Sequence, residues 1–128
     1  METTISEHLK AVMEKEIECI HKYCEKEEEV KEFLFNKNWK QLDKMFKETE
    51  PLTEEINGLE QERDQLFKKL KQVIGESDDA GFYQVVVHLP YDIREELSSL
   101  YRDLKFSVFQ LQGVTNNIDT YICSMKET

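Results

Sequence analysis

Residues 39–75 read WKQLDKMFKETEPLTEEINGLEQERDQLFKKLKQVIG, and their spacing carries the fold. Steps of three and four residues pick out Leu42, Met45, Thr49, Leu52, Ile56, Leu59, Arg63, Leu66, Leu70 and Val73. All but Thr49 and Arg63 are apolar, in a chain that is 39% hydrophobic overall, so this is a heptad seam. A seam of that length needs a long helix laid against another helix. Pro51 interrupts it. Proline removes one backbone donor and presses on the preceding turn, so a kink is expected near Thr49-Glu50. The seam keeps its phase on both sides, which favours one kinked helix over a hairpin. Gly75 is the natural stop.

Upstream, a helix is expected from about Thr4 to Phe35, with no Gly or Pro inside. Ile5, Leu9, Val12, Met13, Ile17, Ile20, Tyr23, Val30 and Leu34 form its apolar face, and the charged run Glu25–Glu32 reads as a solvated stretch. Asn36-Lys37-Asn38 supplies turn chemistry and an N-cap for the second helix, expected over 38–74. Downstream, residues 75–81 form a polar loop. Val85-Val86-Val87 favours a strand by propensity but has no partner strand, so Phe82–Leu89 is expected as a short helical turn or an extended arm. After Pro90 a third helix is expected over 91–125. Its seam is Ile93, Leu97, Leu100, Leu104, Ser107, Leu111, Val114, Ile118, Tyr121 and Met125. A second row, Tyr101, Val108, Thr115 and Ile122, runs beside it, wide enough to pack against two neighbours. The expected architecture is all-α: a single domain (residues 1–128), an elongated antiparallel three-helix bundle with coiled-coil-like helices of roughly 45 to 55 Å.

With 128 residues, 4 Gly and 2 Pro, the chain lacks the punctuation of a many-stranded β fold. Its 17 basic and 27 acidic residues leave a net charge of −10, which repels phosphate backbones and anionic membranes; neither is an expected partner. Nothing resembles a secretory signal or a membrane span. Three cysteines at no framework spacing suit reduced thiols and a cytoplasmic setting.

Catalytic chemistry finds no footing. His21 and Cys24 lie three apart, but no second ligand pair completes a zinc set, and Cys19 and Cys24 point about 140° apart. No nucleophile motif or phosphate loop is present, so neither an enzyme nor a cofactor is expected. The Arg63 side chain is expected to pair with a facing Glu. Trp39, Phe46 and Phe67 are expected to be core or bundle-end packing. The departure from ordinary patterning lies on the back of the third helix: Phe106 and Phe109, then Gly113, where a partner helix could come close, then Asn116 and Asn117. The two phenylalanines either pack under the Phe82–Leu89 arm or form an exposed patch for a partner helix.

The run His88-Leu89-Pro90-Tyr91-Asp92-Ile93-Arg94-Glu95-Glu96-Leu97-Ser98-Ser99-Leu100, followed by Leu104, Val108, Leu111 and Asn116-Asn117-Ile118, resembles the FlgN-type flagellar export chaperones. In that family a Leu-Pro and Arg-Glu-x-Leu block opens a long terminal helix with an Asn-rich patch. The Asn38-Trp39 step into Leu42 and the run Glu60-x-x-Arg63-x-x-Leu66 are similar to the family's helical hairpin. The resemblance implies a chaperone without ATPase activity that holds C-terminal segments of hook–filament junction proteins and delivers them to the flagellar type III export apparatus. It puts the cargo contact on the terminal helix, matching Ser107–Met125. The spacing of Gln112, Asn116 and Asn117 departs from the family's paired asparagines. The candidate partner-binding residues are thus Phe106, Phe109, Gln112, Gly113, Asn116, Asn117 and Ile122, with a homodimer conceivable when cargo is absent. The competing reading is a structural coiled-coil adaptor or dimerisation module, suggested by the Leu42–Val73 seam.

Overall fold

The computed structural model describes residues 2–127, apart from the side chains of residues 2, 121 and 124–127. The seam assignments Tyr121 and Met125 fall outside the described residues. Four helices follow in order: α1 Glu2–Phe35, α2 Trp39–Ile74, the short α3 Phe82–Val86, and α4 Tyr91–Glu127. No strand occurs among the described residues.

Local chemistry explains each boundary. At the end of α1, Lys37 takes a left-handed φ of 55°. The amides of Lys37 and Asn38 then donate back to the carbonyls of Leu34 (3.1 Å) and Phe33 (2.9 Å), which closes the helix. The Asn38 side chain accepts from the Gln41 amide at 3.4 Å and starts α2. Helix α2 runs unbroken through Pro51. Beside the proline, the Thr49 hydroxyl donates to the Phe46 carbonyl (3.0 Å) and the Thr53 hydroxyl to the Thr49 carbonyl (3.2 Å). Gly75, at φ 86°, ends the helix where a side chain would be strained. Its amide and that of Glu76 both reach the Lys71 carbonyl.

The loop after Gly75 is tied down by His88–Glu76 at 2.7 Å and by Lys71 donating to the Asp78 carbonyl at 2.9 Å. Residues 82–86 are helical rather than extended, because a lone strand leaves its backbone unpaired while one helical turn satisfies it and still buries Val85 and Val86.

Helix α1 lies between the other two long helices. Arg63–Glu16 and Lys26–Glu48, both 3.2 Å, set α2 antiparallel to it. Lys10–Glu96 (3.1 Å) and His21–Ser107 (2.9 Å) set α4 parallel to it. The α2 and α4 backbones nowhere approach each other among the described residues. Helix α4 packs chiefly on α1, while residues of α2 and α4 share both apolar clusters and are bridged by Phe82, with the two backbones farther apart.

The apolar interior falls into two clusters. The larger joins Leu9, Met13 and Ile20 of α1 to Leu66 and Leu70 of α2, Val85 and Val86 of α3, and Leu97 and Leu104 of α4. The smaller, at the other end, holds Val30, Leu34, Leu42, Met45 and Ile118. Val73, placed on the seam by spacing, is exposed because α2 outruns its partner there.

Candidate functional site

The space between α2 and α4 is bounded at one end by an aromatic strap and at the other by the smaller apolar cluster. At the strapped end Phe82 of α3 stacks on Tyr101 of α4 (4.0 Å between ring centres) and on Phe67 of α2 (5.7 Å), bridging the two helices. Behind this strap lies a cavity of about 250 Å³ lined by Leu9, Met13, Arg63, Asp64 and the three rings. Further along, a cavity of about 340 Å³ is lined by Tyr23 from α1, Thr53, Ile56 and Asn57 from α2, and Leu111, Gln112, Thr115 and Asn116 from α4. Helix α1 is therefore the floor of a groove whose walls are α2 and α4.

Two acidic residues of α1 are withdrawn from water, one fully and one in part. Glu16 is 2% exposed; its Oε2 meets Arg63 at 3.2 Å, and its Oε1 has no hydrogen-bond partner. Burial raises its carboxyl to about 7, against the pull of Arg63 and with a further push from Glu60 and Asp64. Glu27, half-buried, is also pushed up, first by desolvation and then by the Asp119 carboxylate of α4, while the Tyr23 hydroxyl beside it offsets part of the rise. The expected Arg63–Glu pair is thus found, with Glu16 as its partner. Val30 is buried, as its place on the apolar face of the helix requires, while the reading of Glu25–Glu32 as a solvated stretch fails at Glu27, which is half-buried. The signal was in the spacing: Glu27 lies four after Tyr23 and three before Val30, on the inward phase of α1.

The candidate residues separate by face. Phe106 and Phe109 are 61% and 72% exposed, on the side of α4 away from α1, so packing under the α3 arm is excluded. Gly113 and Asn117 share that outer side; a Cβ built on Gly113 would meet nothing within 4 Å. Gln112 and Asn116 line the groove cavity. Ile122 instead packs half-buried against the smaller apolar cluster, since it continues the Leu111–Ile118 phase. Trp39 and Phe46, expected as packing, are more than half exposed. With Thr53 they recur every seven residues along the flank of α2 that α4 leaves uncovered.

Burial raises the thiols of Cys19 and Cys24, the reverse of what an activated nucleophile requires. Among the described residues no group of three or more His, Cys, Asp or Glu could hold a metal ion, and no helix is long and apolar enough to cross a membrane.

The described residues form an all-α protein of long helices with an exposed aromatic pair on the last of them. The FlgN protein family model matches residues 1–122, and the chain belongs to the FlgN family. That family is one of flagellar export chaperones. No curated protein and no solved structure matches the chain.

Proposed function

We propose that this protein is a cytoplasmic export chaperone that binds C-terminal helical segments of hook–filament junction proteins, keeps them unassembled, and presents them to the flagellar type III export apparatus. The observation that carries the reading is the aromatic pair Phe106 and Phe109, standing in water on a helix whose opposite face is already used. Adjacent large aromatics exposed in this way mark a surface that a partner covers. A cargo helix laid there buries its own assembly face, which is sequestration by binding alone, with no catalysis or cofactor. The net charge of −10 keeps the unloaded chaperone dispersed.

The seam that suggested a coiled-coil adaptor is consumed within the chain: Leu42, Met45, Leu59, Leu66 and Leu70 are buried. Removing the end of α4 is a poor test, because Ile118 completes the smaller core cluster. Point variants are cleaner. Phe106→Ala with Phe109→Ala weakens binding of a fluorescent C-terminal peptide of a hook–filament junction protein at least about ten-fold, with the thermal midpoint unchanged, as both rings already sit in solvent. Wild-type affinity in that double variant overturns the reading.

A further inference from the structure

We infer that the start of α2 is a second docking surface, separate from the aromatic pair on α4, and that its occupant is an acidic amphipathic helix of another protein. Residues 37–47 read KNWKQLDKMFK and hold four lysines against one aspartate, in a chain whose net charge is −10. Two large aromatics stand in water in the same stretch, Trp39 at 55% exposed and Phe46 at 53%. The pairs Trp39-Lys40 and Phe46-Lys47 lie seven residues apart, so they repeat on one side of α2 about 10 Å from each other. Leu42 and Met45 turn inward to the smaller apolar cluster, which leaves the aromatic and lysine stripes facing out.

Charge and shape together choose the occupant. Among the described residues Lys40 and Lys44 have no carboxylate within 4 Å, and Lys47 meets only Asp43, at 3.6 Å, with both side chains in water. A pair that exposed stabilises little and leaves the ammonium available. Apolar side chains of a partner helix cover the aromatic stripe, and carboxylates along its flank meet Lys40, Lys44 and Lys47, which are spaced four and three apart. An anionic membrane or a nucleic acid fits less well. Lys26–Glu48 (3.2 Å) sets the acidic end of α1 alongside, where Glu25, Glu28, Glu29 and Glu32 are exposed. A broad phosphate surface meets those carboxylates together with the lysines, whereas a single helix, about 10 Å across, lies on α2 alone. Charges more than about 8 Å away are largely screened at physiological salt, so a narrow acidic partner feels chiefly the lysines beneath it. A second copy of the chain is a poor occupant, because it brings a whole surface of net charge −10.

Trp39 is the one tryptophan of the chain, so its fluorescence reports on this surface directly. The probe is a tryptophan-free helical peptide of about 20 residues, long enough to hold a helix, with leucines on one stripe and glutamates on both flanks. Its twin carries lysine at every glutamate. The acidic peptide shifts Trp39 emission to shorter wavelength and is weakened by salt, while the twin leaves the emission unchanged. Lys40→Gln with Lys44→Gln lowers the affinity at least about five-fold at an unchanged thermal midpoint, since both side chains are exposed. Lys68→Gln with Lys69→Gln removes the same charge from exposed positions near the other end of α2 and changes the affinity less than about two-fold. Phe106→Ala with Phe109→Ala leaves the response intact, so this inference and the cargo reading fail separately. Overturning results are an unmoved emission with the acidic peptide, an equal shift with its twin, an equal loss in the two lysine variants, or a response lost with the α4 phenylalanines. A shift caused by vesicles of equal parts phosphatidylglycerol and phosphatidylcholine makes the surface a membrane contact and also overturns it. So does a dimer in light scattering that the Lys40 and Lys44 changes dissolve, which makes the occupant a second copy.

Discussion

Glu16 concentrates the electrostatic tension of the molecule in one side chain. It is buried beside Arg63 with one oxygen unpartnered, and burial outweighs the arginine, so the carboxyl is raised from 4.5 to about 7. In the unfolded chain it titrates near its ordinary value. Between these limits the folded state holds a proton that the unfolded state has released. Stability from this group is therefore complete below about pH 4.5, declines as pH rises, and is gone above about pH 7. Thermal melts from pH 4.5 to 8 should show the wild-type midpoint falling across that window relative to Glu16→Gln, which cannot titrate. Parallel curves would mean that Glu16 is ionised throughout. The Arg63–Glu pairing was legible in sequence, because an arginine on an apolar seam needs a counter-charge. The identity of Glu16 was not, because a glutamate following Glu14 and Lys15 reads as solvent-facing until α2 is packed over it.

At the level of the helix, α4 separates stability from binding. Its inner face is used by α1, and its outer face carries Phe106, Phe109 and Gly113 in water. Glycine in an exposed helix interior costs about 1 kcal/mol relative to alanine, and a methyl group at 113 has open space around it. Gly113→Ala should therefore raise the stability of the free chain by about 0.5 to 1 kcal/mol in urea unfolding, while weakening cargo peptide binding if a partner helix comes close there. Improved stability with unchanged affinity would move the contact off this part of α4. Helix limits were readable from Asn38, Gly75 and Pro90, whose backbone chemistry is local. The state of residues 82–86 was ambiguous because two adjacent buried valines suit a strand or a helical turn equally, and only the pocket between α2 and α4 chose the turn.

Across the whole molecule, the two apolar clusters divide the labour. The larger one, strapped by the Phe67–Phe82–Tyr101 stack, anchors all four helices. The smaller one holds the far ends of α1 and α2 and the last part of α4 through few side chains, chiefly Ile118 with Val114 and Ile122. Local opening follows the density of buried apolar contacts. Amide hydrogen exchange should accordingly be slow over residues 93–107 and faster over 111–122, with added cargo peptide slowing the second segment more than the first. Uniform protection along α4 in the free chain would contradict this division.

Periodicity by itself determined that the chain is all-α, where its long helices begin and end, and that the last helix has more apolar width than one neighbour covers. These follow from the 3.6-residue repeat and from capping chemistry, both local properties of the chain. Only tertiary structure decided how closely each neighbour approaches. It set the backbone of α4 closer to α1 than to α2, turned Phe106 and Phe109 outward, left Trp39 and Phe46 exposed, and buried Glu16 beside Arg63. A helical pattern specifies the faces of each rod, whereas the side on which a second rod arrives depends on contacts between residues far apart in the chain.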